Sequence, residues 1–139
     1  VYGPGQIMAN WRQGMVSIFM SMMRKDGHIH VKGSPNRYRD FVYIDDVVSA
    51  FLSCLDNPGS AGKAINIGGS GKTLVGDLVE KLVSLPFEPV TVEYSGFTQG
   101  DIHGIHADCT LAARVLGYEP EVFLDEGLDR MYAWYTSKE

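Results

Sequence analysis

The chain has 139 residues, of which 45% are hydrophobic and 21% are charged, and its formal net charge is -5. This composition indicates a folded globular domain and argues against a disordered segment or a coiled coil. The negative charge argues against nonspecific nucleic-acid binding, which needs a basic face, and the apolar stretches are shorter than the roughly 20 residues of a membrane-spanning helix. Cys54 and Cys109 form no Cys-x-x-Cys pair, so we interpret them as reduced thiols of a cytoplasmic protein.

The first predicted elements are a loop, a helix and a short strand. Residues 2–10 contain glycine and proline at close spacing, which predicts irregular structure. Apolar residues then recur at helical spacing over residues 15–23, so we expect an amphipathic helix that ends near residue 26. A short strand is predicted over residues 29–31, and the turn formers at 33–36 are expected to close it.

Residues 37–44 predict a strand that carries two arginines. Because side chains alternate along a strand, Arg37 and Arg39 are expected on the same face as Phe41 and Tyr43. Two guanidinium groups beside aromatic rings suit a nucleotide diphosphate, since arginine presents a rigid fork of donors. On the residues alone, a solvated strand end with charge-paired arginines is the simpler interpretation, because surface ion pairs are common and contribute little.

A helix is predicted to follow this strand. Asp45 or Asp46 is expected to accept hydrogen bonds from the amides of its first turn. Its buried face is expected to consist of apolar residues at helical spacing, namely Val47, Val48, Phe51, Leu52 and Leu55. Residues 57–59 read Asn-Pro-Gly, which predicts the end of the helix.

The remaining elements continue the alternation of strand and helix, which indicates an α/β fold. A strand is predicted over residues 65–67, and Thr73 is expected to cap the helix that follows. The apolar stripe of that helix is Leu74, Val75, Leu78, Val79 and Leu82. Further along we expect a strand over residues 90–94, a short helix ending at Gly117 and a last helix capped by Asp125.

Two familiar nucleotide-binding motifs fail on spacing. Residues 68–73 read Gly-Gly-Ser-Gly-Lys-Thr, but a phosphate-cradling P-loop needs a glycine where this chain has Asn66. A dinucleotide-binding loop would need a glycine where this chain has Met8 or Leu74. A P-loop-like nucleotide binder is therefore only a weak alternative.

The four histidines fall in two close pairs, His28 with His30 and His103 with His106. Zinc could use such spacings, but a zinc site usually adds acidic or thiolate ligands. We therefore expect no metal site.

Three segments together resemble a known family. Residues 39–47, Arg-Asp-Phe-Val-Tyr-Ile-Asp-Asp-Val, are similar to a segment in the second half of the NAD-dependent nucleotide-sugar epimerases and dehydratases, the extended branch of the short-chain dehydrogenase/reductase family. Residues 1–6 resemble the stretch after the sixth strand of that family's Rossmann sheet, and residues 100–120 resemble its substrate lobe. The resemblance implies that residues 1–139 form one α/β lobe, the C-terminal substrate-binding part of an extended Rossmann-type fold without its N-terminal dinucleotide-binding half.

The resemblance also implies a substrate site. Its residues would be Arg39, Arg37, His30, Val31, Lys32, Thr98 and Asp101. Arg39 would bind the diphosphate, and the strand before it would contact a uracil or thymine base. The family usually has a second diphosphate arginine two residues before its Gly-Asp, where this chain has Thr98, and Arg37 is the candidate to compensate.

The same resemblance implies NAD as the cofactor of a parent enzyme, with Tyr2, Gly3 and Pro4 as cofactor-binding residues. The family's catalytic pair is a Tyr with a Lys four residues later, and none of the seven tyrosines here has that lysine. We therefore expect this chain to be inert alone and to bind the UDP- or dTDP-sugar of a UDP-glucose 4-epimerase-like enzyme. The alternative is a non-catalytic module that binds nucleotide-sugars or another subunit.

The strand predicted over residues 65–67 also has a consequence for assembly. In the family this strand pairs with the Rossmann sheet, and parallel strands are normally covered. Its edge would have no partner without the first half of the fold. We therefore expect the chain to self-associate through this edge as a homo-oligomer.

Overall fold

The computed structural model describes residues 1–10, 12–97, 100 and 102–137. Its helices are α1 (Met15–Asp26), α2 (Ile44–Asp56), α3 (Val75–Val83), α4 (Thr110–Leu116) and α5 (Leu124–Thr136), with a short 3₁₀ turn at Pro58–Ser60. Its strands are β1 (His28–Lys32), β2 (Tyr38–Asp40), β3 (Lys72–Leu74) and β4 (Thr91–Ser95). This order confirms the predicted α/β class. Within the described ranges, no helix has both the length and the apolar character that crossing a membrane requires.

The strands form two small sheets. β1 and β4 pair in parallel, with Val31 opposite Tyr94, and β2 and β3 pair antiparallel, with Arg39 opposite Thr73. Because side chains alternate along a strand, β1 turns Ile29 and Val31 into the core, where both are fully buried. The other face of β1 is partly exposed and can contribute to a site.

The main core lies between α1, α3, α5 and the sheet of β1 and β4. The apolar stripe of α3 is buried as predicted at Val75, Leu78, Val79 and Leu82, whereas Leu74, which was also predicted in the stripe, belongs to β3 and is exposed. These residues join Met20 of α1 and Leu128 and Met131 of α5 in one cluster. Burying a side chain of this size stabilises the fold by about 2 kcal/mol. This core holds α1 and β1 in place, and both elements border the candidate site described below.

The buried face predicted for α2 is wrong. Val48, Phe51, Leu52 and Leu55 are 48%, 69%, 57% and 81% exposed, and we call these four side chains the α2 apolar patch. Val47 is half-buried, and the buried residues of the helix are Asp46 and Ala50. Periodicity predicts the helix correctly, but it does not identify what covers the apolar stripe. No part of the described chain covers the patch.

The prediction of a strand over residues 65–67 is wrong as well. Residues 63–69 form neither helix nor strand, because no strand of the described chain lies beside them to complete a ladder of hydrogen bonds. Ile65 and Ile67 pack instead against a small second cluster that includes Ala50 of α2. The segment therefore runs beside α2 without a strand partner.

The predicted side-chain caps are also wrong. α2 begins at Ile44, so that Asp45 and Asp46 lie inside its first turn, and Asp125 lies inside the first turn of α5. Thr73 belongs to β3, which ends one residue before α3 begins. The three carboxylates lie near the positive end of their helix dipoles, where a negative charge is favourable, but none of them is the capping residue.

Candidate functional site

Three cavities follow one another near the N-terminal end of α1. Their volumes are about 460, 210 and 400 Å³. Gly14 and Met15 line both the first and the second cavity, whereas Val1 and Tyr2 line both the second and the third. Because neighbouring cavities share lining residues, we group the three under one name, the α1 trough.

The first cavity of the trough has an apolar wall and a positively charged wall, and we call it the cationic cavity. The apolar wall comes from α1, with Met15, Ile18, Phe19 and Met22. The polar wall consists of Arg12, His30, Lys32 and Arg37. No carboxylate is among the described residues that line it, so the cavity is locally positive although the chain has a net charge of -5. Such a cavity suits a partly apolar ligand that carries negative charge.

Arg37 braces the turn between β1 and β2. Its Nε donates to the carbonyl of Ser34 at 3.0 Å, and its Nη2 donates to the carbonyl of Lys32. Its guanidinium lies flat against Gly33, where an added Cβ would be 3.1 Å from the guanidinium carbon. Two of the five N–H donors of Arg37 are therefore bonded to the protein backbone.

Arg39 lines both the second cavity and a further cavity of about 460 Å³, which we call the outer cavity. Its Nη1 donates to the carbonyls of Tyr38 at 2.8 Å and Ile102 at 3.2 Å. The outer cavity is also lined by Asn66 and His106. The predicted common face of Arg37 and Arg39 is wrong, because β2 begins only at Tyr38 and Arg37 lies outside the strand. The two arginines line different cavities.

Asp40 is a positioning residue that the sequence patterns did not indicate. Its Oδ1 accepts a hydrogen bond from the amide of Gly69 at 2.7 Å, and its Oδ2 accepts one from Ala107 at 3.0 Å. A Cβ at Gly69 would lie 2.0 Å from the carbonyl oxygen of Phe41, so this approach requires glycine. Asp40 thus fastens two distant segments to the strand that carries Arg39.

The base-contacting strand expected from the resemblance is β1. His30 and Lys32 line the cationic cavity, and a ring nitrogen of His30 lies 2.7 Å from the hydroxyl of Ser95. The side chain of Val31 is fully buried in the core. Any contact between Val31 and a ligand would therefore come from its main chain.

Tyr2, Gly3 and Pro4 line the third cavity of the trough, together with Gln6 and Gln13. The hydroxyl of Tyr2 is buried and donates to the carbonyl of Leu124 at 3.4 Å, and burial raises the pKa of Tyr2. Tyr2 therefore anchors the loop to α5 instead of offering its hydroxyl to a ligand.

The Gly-Lys-Thr sequence does not form a phosphate loop. Lys72 and Thr73 lie on β3, and the Lys72 ammonium lies 5.0 Å from the centre of the Tyr38 ring. A P-loop needs these residues at the start of a helix, whereas α3 begins at Val75. This geometry does not support the P-loop-like alternative.

Two predicted residues lie outside the described part of the chain, namely Thr98 and Asp101. Within the described ranges, no three His, Cys, Asp or Glu side chains converge in a group that could hold a metal ion.

The sequence matches one family profile and several relatives that are longer than this chain. The profile, described as the NAD dependent epimerase/dehydratase family, matches residues 1–68. Over 99% of its length the chain is 31% identical to dTDP-L-rhamnose 4-epimerase of Burkholderia thailandensis and 30% identical to UDP-glucose 4-epimerase of Mycolicibacterium smegmatis. It covers 38% and 44% of those two proteins.

Solved structures have the same fold. The crystal structure of UDP-glucose 4-epimerase from Thermotoga maritima with UDP-glucose is 33% identical, with a TM-score of 0.83 over 98% of this chain and 43% of that one. UDP-glucuronic acid 4-epimerase from Bacillus cereus, in complex with UDP-glucuronic acid and NAD, is 26% identical, with a TM-score of 0.86 over 99% of this chain and 43% of that one.

The fold and these similarities define an α/β protein of the Rossmann-like epimerase type. The chain belongs to the NAD-dependent epimerase/dehydratase family. It spans about two fifths of the length of the relatives named here.

Proposed function

We propose that this chain is the substrate-binding lobe of an NAD-dependent nucleotide-sugar epimerase, with residues 1–139 acting as one unit. The observation that carries the proposal is the position of Arg39, between the α1 trough and the outer cavity. A guanidinium there can bind a diphosphate through charge-assisted hydrogen bonds, with space for the nucleoside on one side and the sugar on the other. Relatives that bind UDP-glucose or UDP-glucuronic acid support this assignment.

The ligand of this lobe is a UDP- or dTDP-sugar. The apolar wall of α1 and the edge of β1 give the cationic cavity the character of a nucleoside pocket. The outer cavity, with Asn66 and His106, offers polar groups to the sugar. Binding energy at the nucleoside and diphosphate would hold the sugar ring in one orientation, which is a positioning role.

NAD would be held mainly by another part of the enzyme. When bound, the cofactor supplies the hydride acceptor of the reaction. Within this chain, Gly3 and Pro4 would contact its edge from the third cavity of the trough. Since the sequence has no dinucleotide-binding glycine loop and no Tyr-x-x-x-Lys pair, we expect the isolated chain to be inert. The free thiols of Cys54 and Cys109 are compatible with the cytoplasmic location that we propose.

The partner of the isolated chain is a second copy of itself. The α2 apolar patch lies on the helix that packs against residues 65 and 67, which have no strand partner in the described chain. The relatives named above are more than twice as long as this chain, which covers about two fifths of each. A second copy would bury the patch and complete the edge.

Light scattering tests this association. We expect a mass of at least twice 15.3 kDa for the chain and a monomeric mass for a double variant, Phe51→Glu with Leu55→Glu. The control is Ile7→Glu, which adds one negative charge at an exposed apolar residue outside the patch. A strictly monomeric parent chain would contradict the proposal.

Isothermal titration calorimetry with UDP-glucose tests the binding function. We expect saturable binding, and we expect Arg39→Gln to weaken it at least tenfold, because a charge-assisted hydrogen bond contributes about 1.5–3 kcal/mol. Arg114→Gln is the matched control, since Arg114 lies on α4 and lines none of the cavities of the trough. Equal affinity of the Arg39 and Arg114 variants would refute the role of Arg39.

A further inference from the structure

The cationic cavity contains one cation, Arg12, that the sequence did not place in the predicted substrate site. Two of its polar residues are already engaged, because Arg37 donates to two backbone carbonyls and His30 pairs with Ser95. The other two are Arg12 and Lys32. Neither the guanidinium of Arg12 nor the ammonium of Lys32 has a hydrogen-bond or ion-pair partner among residues 1–10, 12–97, 100 and 102–137.

Arg12 comes from the loop that leads into α1. Its main-chain amide donates to Oδ1 of Asn10 at 3.1 Å, a turn that places the residue just before Gly14 at the cavity wall. Lys32 approaches from the end of β1. Two cations from separate elements therefore line one cavity that contains no carboxylate from the described chain.

A diphosphate carries negative charge on both of its phosphates, whereas Arg39 is a single cation. The sequence suggested Arg37 as a second one, and Arg37 donates two hydrogen bonds to the turn that it braces, just as Arg39 donates two to the carbonyls of Tyr38 and Ile102. Arg12 and Lys32 line the cavity that adjoins the one containing Arg39, and Gly14 and Met15 are common to both. They can therefore supply charge to the nucleoside side of the same ligand.

We propose that Arg12 and Lys32 form a phosphate-binding pair in the α1 trough, which binds the phosphates of a nucleoside diphosphate together with Arg39. This inference rests on the proposed nucleotide-sugar binding and names specificity-determining residues for it. Arg37 is a positioning residue that holds the turn around the cavity. The pair makes binding of the charged ligand stronger than binding of the neutral nucleoside.

Calorimetry with UDP and with uridine tests the pair. We expect Arg12→Gln and Lys32→Gln each to weaken UDP binding roughly fivefold to tenfold, with a larger loss in the double variant. Uridine affinity should fall much less than UDP affinity, since uridine has no phosphate and loses only the contacts of the two side chains with the nucleoside. The salt dependence of UDP binding should also be weaker in the double variant. Arg114→Gln again serves as the control.

Unchanged UDP affinity in the double variant, with binding still lost in Arg39→Gln, would overturn this inference and leave the proposed function standing. If the parent chain binds no UDP, the proposed function fails. Titration with inorganic pyrophosphate, monitored by NMR, then tests whether Arg12 and Lys32 bind phosphate. Shifts at Arg12 and Lys32 that vanish in the double variant would support the phosphate site, and their absence would overturn it.

Discussion

Helices α2 and α3 carry the same apolar pattern and differ in what covers it. Each has four large apolar residues at positions i, i+3, i+4 and i+7, which are the α2 apolar patch in one helix and Val75, Leu78, Val79 and Leu82 in the other. In α3 these residues are buried in the main core, whereas in α2 they are exposed. The pattern therefore predicts a helix with an apolar stripe, but the position of the covering surface depends on the rest of the fold.

The largest difference in stability between the two helices should appear when the last residue of each apolar stripe is replaced by alanine. Leu82→Ala should lower the free energy of unfolding by about 3 kcal/mol, because it leaves a cavity in a close-packed core. Leu55→Ala should change it by less than about 0.5 kcal/mol in the monomer, since Leu55 is 81% exposed. Urea unfolding at low protein concentration measures both values. Similar losses in the two variants would show that the patch is covered within the chain.

A smaller loss of stability is expected at the polar face of α2, where a carboxylate binds the segment before α5. The carboxylate of Asp46 is buried and accepts hydrogen bonds from the amides of Glu121 at 3.0 Å and Val122 at 3.4 Å. Asp46→Asn should destabilise the chain by about 2 kcal/mol, because an amide replaces an acceptor with a donor against those N–H groups. Asp45→Asn is the control, since Asp45 is exposed and faces Arg130 at 3.7 Å. Equal decreases in the free energy of unfolding for the two variants would show that the Asp46 carboxylate does not hold α2 in place.

The smallest effect concerns Tyr118, which packs against Ala50 in the small cluster under α2. Its hydroxyl donates to the carbonyl of Gly68 at 2.6 Å, and burial raises the pKa of Tyr118 from 10.0 to about 12. The unfolded chain therefore loses this proton first, so the contribution is complete below pH 10 and is lost as the pH rises from 10 towards 12.

Tyr118→Phe separates the hydroxyl from the packing of the ring. The variant should be about 1 kcal/mol less stable at neutral pH, because it loses one hydrogen bond. It should also lose less stability than the parent chain between pH 10 and 12. Unfolding curves at several pH values measure this. An identical alkaline decline in both chains would mean that Tyr118 is not the group that titrates.

The sequence predicts most of the elements and misses several of their partners. The helix over residues 15–26 and the strands near 29–31 and 90–94 follow from local periodicity, and the structure confirms them. The predicted caps failed because a carboxylate can bind distant amides, as Asp46 does 75 residues along the chain. The strand over residues 65–67 failed because a strand needs a neighbour, and the described chain provides none.

The candidate site likewise contains residues that the sequence indicated and residues that only the fold reveals. The resemblance pointed to Arg39, His30 and Lys32, and the structure places all three on the walls of adjoining cavities. Arg12 carried no recognisable signal, since its place in the cationic cavity depends on how the loop before α1 folds. Asp40 was likewise hidden, because its partners Gly69 and Ala107 are brought to it only by the fold.

Hydrogen–deuterium exchange with and without UDP tests the central claim most directly. If this chain binds a nucleoside diphosphate in the α1 trough, UDP should slow exchange in the loop before α1, in β1 and in residues 33–40. The account predicts no slowing in α4, whose residues line none of the cavities of the trough. Slowed exchange confined to α4, or no change anywhere at saturating UDP, would contradict it.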